Sequence, residues 1–442
     1  MREVRISSIK SLLQAKLSRD IIYSLVSFGV LATTGVLINL AITAYSGVES
    51  LGVFNIAYAF YILSSQIAVW GIHNSVLRYT AFFKDRPKIL SIQLISGSCI
   101  VLITGSICSL VIYITSPFTK GIFNSAETSL AIKYASYGLI LFPINKVLLN
   151  FLNGLRMMRA YATFQSLRYV TILAVIIYLL KTKHSAAHLT YSFIVAELTT
   201  FAFVLIFLIR FSLLPIKKIS TFWFKKHLKF GNQGLFSSLF VEFNSRIDVL
   251  MIGVFMSDKM TGIYSFAAMF IDGLYHVLSM LRINLNPIIV TSFKTGKFTE
   301  LKGIIASLKK YVPLVMIILT MIIFSLYLFI GSYLLKEEDI KIGIIILFVL
   351  MFGLILVSPF IPFEQTLMMA GYPNLQTGQQ LFMVVVNIVL AVCLIPTIGI
   401  YGAAVGTACS YLANIIFMSY FSKCKLGFSF FAKHEKTKNI DY

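Results

Sequence analysis

Charged side chains inside apolar segments are the residues of this sequence best suited to chemistry. The stretch RIDVLMIGVFMSDKMTGIYSFAAMF, residues 246–270, opens with Arg246 and Asp248, and Asp272 follows just past its end. Arginine keeps its charge and presents a planar fork of donors that fits phosphate oxygens. A carboxylate can bind a proton or a sodium ion. The two residue types together predict a site for an anionic head group, with an ion-coupling acid beside it.

Helical spacing places some of these groups on common faces. Glu242 precedes Arg246 by four residues, so the two can pair on one helix face, whereas Asp248 points elsewhere. Asp272 and His276 are also four residues apart. A Glu242–Arg246 pair would either fix helix packing or line a functional cavity, and spacing alone leaves both interpretations open.

Other basic residues lie nearer the ends of apolar segments. Lys146 and Arg168 lie roughly 10 Å from such ends, and Arg78 lies at one. These three side chains either anchor helices at the membrane interface or bind the head group. The full set of head-group candidates is Arg246, Arg282, Arg78, Lys146 and Arg168, and the ion-coupling candidates are Asp272, Glu242, Asp248 and Glu197.

The composition explains why charges in these segments are costly. The 442 residues are 58% hydrophobic and 12% charged, with a mean hydropathy of +0.86, whereas about 25% of residues are charged in an average soluble domain. Runs of about 20 apolar residues are typical of membrane-spanning helices. The sequence predicts an all-α, polytopic membrane protein. Because residues 1–20 are charged and polar, we expect no cleavable signal peptide there.

The distribution of basic residues predicts the orientation of twelve membrane spans. With a cytoplasmic N-terminus, the inside segments hold 27 Lys and Arg residues and the outside loops hold 6, counting residues at span ends with the adjoining loop. Basic residues collect in cytoplasmic loops, so both termini are predicted to be cytoplasmic. The same rule accounts for the net charge of +21 without a nucleic-acid partner. The predicted spans are 21–45, 51–79, 89–115, 129–153, 161–180, 188–212, 231–257, 262–291, 310–335, 341–370, 376–397 and 400–422.

A weak internal repeat divides the sequence. LGVFNIAYAF at 51–60 resembles TGIYSFAAMF at 261–270, an offset of 210 residues that relates the second span to the eighth. The repeat predicts two lobes of six helices with the same orientation, an arrangement typical of secondary transporters. The predicted domains are an N-terminal lobe 1–210, a basic cytoplasmic linker 211–230, a C-terminal lobe 231–422 and a basic cytoplasmic tail 423–442.

Three stretches resemble one known family. RIDVLMIGVFMSDKMTGIYS at 246–265 is similar to the span 7–8 signature of the polysaccharide-export branch of the multidrug/oligosaccharidyl-lipid/polysaccharide flippase superfamily. NIVLAVCLIPTIGIYGAAVGTACSYLA at 387–413 resembles its span 11–12 signature, and SGVESLGVFNIAYAF at 46–60 resembles its first loop and second span. The resemblance covers nearly the whole chain, and the O-antigen flippases are the most similar group.

This resemblance implies a V-shaped, two-lobed transporter of twelve helices. Its implied substrate is an undecaprenyl-pyrophosphate-linked oligosaccharide, moved across the bacterial inner membrane by alternating access, and the basic candidates would hold the pyrophosphate. No cofactor is expected beyond a coupling proton or sodium ion. The implied partners are the lipid-linked oligosaccharide, membrane lipids, a polysaccharide polymerase and a chain-length regulator, with the protein working as a monomer.

Three other functions are weighed against this one. Drug/cation antiporters of the superfamily often carry an acid in their N-terminal lobe, whereas the first span here has Asn39 and no acid, and arginines would repel organic cations. Lipid II flippases carry an arginine within the first span, whereas Arg19 lies at its edge. A membrane enzyme would need larger outer loops with catalytic or metal-binding spacing, so we expect no enzymatic activity.

Overall fold

The computed structural model describes the backbone of residues 2–211, 213 and 219–430, and their side chains except at 2–21, 233, 234, 237 and 283. The predicted linker residues 212 and 214–218 and the predicted tail residues 431–442 lie outside the described part. Regular secondary structure within it is helical, which confirms the predicted all-α class.

The described chain contains fourteen α-helices and three 3₁₀ segments. They are α1 (Arg2–Val69), α2 (Ile72–Phe82), α3 (Pro87–Phe123), α4 (Ala126–Ser136), α5 (Phe142–Gly154), α6 (Met158–Lys181), α7 (Tyr191–Arg210), α8 (Thr221–Phe255), α9 (Asp258–Thr295), α10 (Thr299–Leu334), α11 (Glu337–Val357), α12 (Thr366–Met369), α13 (Pro373–Ile398) and α14 (Ile400–Leu426).

Nine helices of the described chain are long and apolar enough to cross a membrane, and a bent pair formed by Ala126–Ile140 and Phe142–Gly154 makes a tenth. Two features account for the difference from the predicted twelve. Ile22–Val69 counts once, although its 48 residues would measure about 72 Å, more than twice the roughly 30 Å hydrocarbon core, and a non-helical Gly47 interrupts it. The helix α8 is not among the nine because charged residues interrupt its apolar stretch. Twelve crossings remain a prediction.

The described chain forms two compact units. Unit 1 contains the described residues up to Ser46 together with Phe60–Leu239. Unit 2 contains Gly47–Ala59 and the described residues from Phe240 onward. Each unit groups residues that contact one another, whereas each predicted lobe groups six predicted membrane spans. The two divisions are therefore not equivalent, and the lobe boundaries stay predictions. The last ten residues of the predicted linker are helical, because α8 begins at Thr221.

Each unit has its own apolar core, and apolar side chains also cover outward faces. Leu94 and Phe151 are buried in unit 1, and Ile289 and Met418 are buried in unit 2. On α3, Leu110 is 59% exposed. Exposed apolar faces of this extent are unfavourable in water and suit contact with lipid.

Two helices are interrupted near prolines, and polar side chains follow each interruption. In unit 1 the 3₁₀ segment Tyr137–Ile140 ends just before Pro143, and the flanking helices are bent by 43°. In unit 2 the 3₁₀ segment Ile361–Phe363 contains Pro362. Proline lacks an N–H group, and its ring clashes with the preceding turn of a helix. The fourth and tenth predicted spans are each broken for this reason.

Two glycines at equivalent positions of the internal repeat meet inside unit 2. Gly52 of α1 and Gly262 of α9 are separated by the repeat offset of 210 residues. A Cβ atom on Gly52 would overlap the carbonyl oxygen of Asp258, and a Cβ atom on Gly262 would overlap that of Val48. Val48 and Asp258 are separated by the same offset. The helix backbones approach this closely because neither glycine has a side chain.

Candidate functional site

Glu197 of α7 is the centre of a buried polar cluster in unit 1, with its side chain 1% exposed. Its Oε1 forms an ion pair with Arg168 Nε at 2.7 Å and accepts a hydrogen bond from the Tyr61 hydroxyl at 3.3 Å. Its Oε2 accepts one from Asn145 Nδ2 at 2.7 Å. A buried carboxylate needs such donors because an uncompensated charge in apolar surroundings costs several kcal/mol.

Aromatic rings enclose the Glu197 cluster. The Tyr61 ring stacks on Phe193 with centroids 4.7 Å apart and meets Phe142 edge-on at 5.6 Å. The Arg168 guanidinium carbon lies 4.2 Å from the Phe142 centroid. These rings hold the charged pair in place and keep its surroundings apolar, which strengthens the interaction between arginine and glutamate.

Glu364 is the centre of a second cluster, in unit 2, with its side chain 8% exposed. Its Oε2 accepts hydrogen bonds from Arg282 Nη1 and from the Tyr275 hydroxyl, each at 2.8 Å. Its Oε1 accepts one from Asn414 Nδ2 at 3.0 Å. Gln379 Nε2 donates to Asn414 Oδ1 at 2.6 Å, so the amide is held with its nitrogen toward the carboxylate.

The two clusters contain the same four types of side chain: a glutamate, an asparagine, a tyrosine and an arginine. The glutamate and the asparagine have exchanged places between the two clusters. In unit 1 the amide of Asn145 follows the helix break, and its partner Glu197 lies 52 residues later. In unit 2 the carboxylate of Glu364 follows the break, and its partner Asn414 lies 50 residues later. Each carboxylate also binds one tyrosine and one arginine. This correspondence supports the internal repeat.

A further carboxylate, half-buried, lies in unit 2. Asp248 Oδ2 accepts a hydrogen bond from the Tyr264 hydroxyl at 2.6 Å, and its Oδ1 accepts one from the Val249 N–H at 2.9 Å. The Tyr264 hydroxyl also lies 3.3 Å from Thr407 Oγ1. These contacts join α8, α9 and α14 around one acid.

Tyr264→Phe should destabilise the protein by about 1.5–3 kcal/mol, because it removes the hydrogen bond that the buried Tyr264 hydroxyl donates to a carboxylate. Tyr333→Phe is the matched control, since that ring is 75% exposed. The thermal unfolding midpoint of each variant would be measured in detergent. Equal unfolding midpoints for the two variants would contradict the stabilising contribution proposed for the Tyr264–Asp248 hydrogen bond.

Arg246 lies near two of the predicted coupling acids. Its guanidinium carbon is 4.9 Å from the Tyr58 ring centroid, and it lies within electrostatic reach of Asp248 and Asp272. Asp272 is exposed at the surface of unit 2, whereas Glu242 is half-buried one turn before Arg246 on α8.

Within the described ranges, no three His, Cys, Asp or Glu side chains are grouped so as to hold a metal ion.

The three basic residues nearer the span ends differ in their surroundings. Lys146 Nζ donates to Gln66 Oε1 at 2.9 Å, and Arg168 binds Glu197 as described above. Both side chains are directed to buried polar groups, which a pure interface anchor would not require. Arg78 is exposed at the end of α2 and takes no part in the buried clusters.

Glu364 is absent from the sequence-predicted candidates, although it is the acid that neutralises Arg282. One signal could have identified it: Glu364 is the only acid in the predicted span 341–370. It also stands two residues after Pro362, as Asn145 stands two residues after a proline in the corresponding span. An isolated acid inside an apolar span predicts a buried partner of opposite charge.

Comparison with known sequences gives one family. The family described as Polysaccharide biosynthesis protein matches residues 17–293, which is more than half of the chain. No curated protein sequence matches the chain.

Solved structures of transporters have the same fold. The lipid II flippase MurJ in its inward closed conformation matches with a TM-score of 0.70 and 16% identity, covering 91% of this chain and 87% of MurJ. An inward-facing multidrug resistance MATE family transporter of the MOP superfamily matches with a TM-score of 0.69 and 15% identity, covering 90% of this chain and 94% of the transporter. At these identities the likeness shows the fold alone, which confirms the predicted polytopic helical class.

Proposed function

Because the chain belongs to the polysaccharide biosynthesis protein family, we propose that it is a flippase for an undecaprenyl-pyrophosphate-linked oligosaccharide such as an O-antigen unit. It moves this lipid across the bacterial inner membrane by alternating access, with both termini in the cytoplasm. The observation that carries the proposal is the burial of two arginine–glutamate pairs among apolar helices, Arg168–Glu197 and Arg282–Glu364. A fold shared with a lipid II flippase supports a lipid-linked substrate.

Each glutamate competes with the substrate for its arginine. While Glu364 is ionised, it neutralises the Arg282 guanidinium at 2.8 Å. Protonation of the carboxylate removes this competing charge, and the guanidinium can then bind pyrophosphate oxygens. Loss of the proton restores the pair and displaces the head group. A proton taken up on one side and released on the other thereby couples flipping to an ion gradient, and a sodium ion on the carboxylate would act in the same way.

The remaining candidates fit this scheme as auxiliary groups. Arg246 and Lys146 add positive charge for the pyrophosphate, while Asp248, Asp272 and Glu242 are further acids that can take the coupling ion. We propose that the protein works as a monomer. It would pass its cargo to a polysaccharide polymerase and a chain-length regulator.

A cation-coupled multidrug antiporter is the second candidate. The observation that favours it is Asp272, an exposed acid on a membrane-spanning helix of a fold that MATE transporters share. An acid in that position could attract an organic cation. The arginine of each buried pair opposes this function, because it neutralises the acid beside it.

Complementation tests the flippase directly. The chain would be expressed in a bacterium that lacks its O-unit flippase, and polymerised surface O-antigen would be measured by immunoblot. We expect the wild type to restore the polymer, and Arg246→Ala and Arg282→Ala to reduce it at least tenfold, because the head group loses its cationic ligands. Lys297→Ala is the matched control, because this lysine is exposed beyond the end of α9.

Membrane levels of every variant would be compared by gel filtration of the tagged protein. Full restoration by both arginine variants would refute their role in binding the head group. Dye efflux that depends on Asp272 or Glu197, without restored polymer, would favour the antiporter.

A further inference from the structure

A basic pocket lies in unit 1, away from the buried arginine–glutamate pairs. Its volume is about 490 Å³, and it opens where α2 ends and α8 begins. In the orientation predicted from the basic residues, these two helix ends lie on the cytoplasmic side. In the part of the chain that the structure describes, it is lined by Arg78, Tyr79, Phe222, Lys226, Lys229 and Phe230.

One face of α8 forms most of the pocket. Phe222, Lys226, Lys229 and Phe230 follow the spacing of a single helix face, with intervals of four, three and one residues. Arg78, at the end of α2, contributes the third positive charge. The side chains therefore converge because of helix geometry and not because of a flexible loop.

Buried side chains of α8 fix this helix against the rest of unit 1. Trp223 is 7% exposed, and its ring meets Tyr79 edge-on at 5.2 Å. His227 is fully buried, and its Nε2 donates to the Gln93 carbonyl oxygen at 3.0 Å while its Nδ1 lies 2.8 Å from Ser75 Oγ. The pocket is preorganised by these contacts, so a ligand would not have to order it.

The described lining of the pocket concentrates positive charge without an acid to balance it. None of the six lining residues that the structure describes is acidic. Lys226 Nζ lies 4.7 Å from the Tyr79 ring centroid and 4.9 Å from that of Trp223, and the Arg78 guanidinium carbon lies 5.2 Å from that of Phe230. Aromatic faces hold these cations but carry no net charge. An anion bound here would relieve the mutual repulsion of the three cations.

We infer that this pocket binds the phosphate head group of an anionic membrane phospholipid. Basic pockets between helices on the cytoplasmic side of membrane proteins suit such head groups, because the inner leaflet is rich in anionic lipid. Exposed aromatic rings lie at and near the pocket: Phe222, which lines it, is 62% exposed, and Phe82, four residues after Arg78 at the end of α2, is 78% exposed. Exposed aromatic rings favour the membrane interface, and a freely soluble anion would not need them. This site does not depend on the proposed transport function.

Tryptophan fluorescence tests the lipid site on the full chain. The protein has two tryptophans, so Trp70→Phe leaves Trp223, beside the pocket, as the only reporter. Purified protein in dodecyl maltoside would be titrated with dihexanoyl-phosphatidylglycerol, dihexanoyl-phosphatidylcholine or sodium pyrophosphate. We expect a saturable change with the phosphatidylglycerol only. If the Trp70→Phe variant does not fold, native mass spectrometry of the wild type with the same three probes replaces it.

Charge-removing variants locate the binding site. Arg78→Gln, Lys226→Gln and Lys229→Gln should each weaken phosphatidylglycerol binding about fivefold, as expected for one lost cation near anionic lipid. Lys225→Gln and Lys294→Gln are matched controls, because these lysines are exposed and do not line the pocket.

Two results would overturn the inference. The first is equal affinity of the pocket and control variants for phosphatidylglycerol. The second is tighter binding of pyrophosphate than of phosphatidylglycerol, which would identify a site for a soluble phosphate compound.

Discussion

Gly262→Ala should destabilise the protein by more than about 3 kcal/mol, although alanine favours a helix over glycine by about 1 kcal/mol. The new methyl group would overlap the Val48 carbonyl oxygen and lie 2.8 Å from the Val48 carbonyl carbon. A backbone carbonyl cannot rotate away as a side chain can, so the two helices would have to separate and lose their packing. Gly52→Ala should behave in the same way, because it is the equivalent position of the repeat.

Gly273→Ala provides the control in the same helix. Apart from neighbouring backbone of the same helix, no described atom lies within 4 Å of a Cβ placed on Gly273, so only the intrinsic preference for alanine acts there. We expect this variant to be as stable as the wild type or slightly more stable. Thermal unfolding in detergent and the yield of monodisperse protein would be compared for the three variants. A stable Gly262→Ala protein would show that the helices do not cross this closely.

Arg282→Met should destabilise the protein by about 3–5 kcal/mol, because it leaves the Glu364 carboxylate buried without its counter-charge. The distance of 2.8 Å and the low exposure of both side chains, 22% and 8%, place this pair among buried ion pairs. The double variant Arg282→Met/Glu364→Gln removes both charges and should recover most of the lost stability. A double-mutant cycle on the unfolding midpoint measures this coupling.

An exposed ion pair of unit 2 is the reference for this cycle. Lys341 and Glu337 lie 2.7 Å apart, but their side chains are 70% and 82% exposed. Exposed pairs contribute about 0–1 kcal/mol, so Lys341→Met should change the midpoint little. Equal effects of Arg282→Met and Lys341→Met would contradict burial of the Arg282–Glu364 pair. The double variant should still fail to export polymer, since it lacks the proposed ligand for the head group.

The amino-acid sequence by itself determined the class of this protein. Apolar runs long enough to cross a bilayer predict helices whatever their packing, because backbone polar groups in lipid must be satisfied within the segment. The family resemblance also follows from sequence. Charged residues such as Arg168, Glu197 and Arg282 could be singled out, because a charge inside an apolar run is conspicuous without any structure.

The tertiary structure alone decided which of these residues are partners. Glu197 is 52 residues from Asn145, and Glu364 is 50 residues from Asn414. Hydropathy and helical spacing report on residues within a turn or two of each other, so neither can pair side chains on different helices. Two further features depend on how helices that are distant in sequence pack against one another. One is the exchange of carboxylate and amide between the two clusters, and the other is the close contact at Gly262.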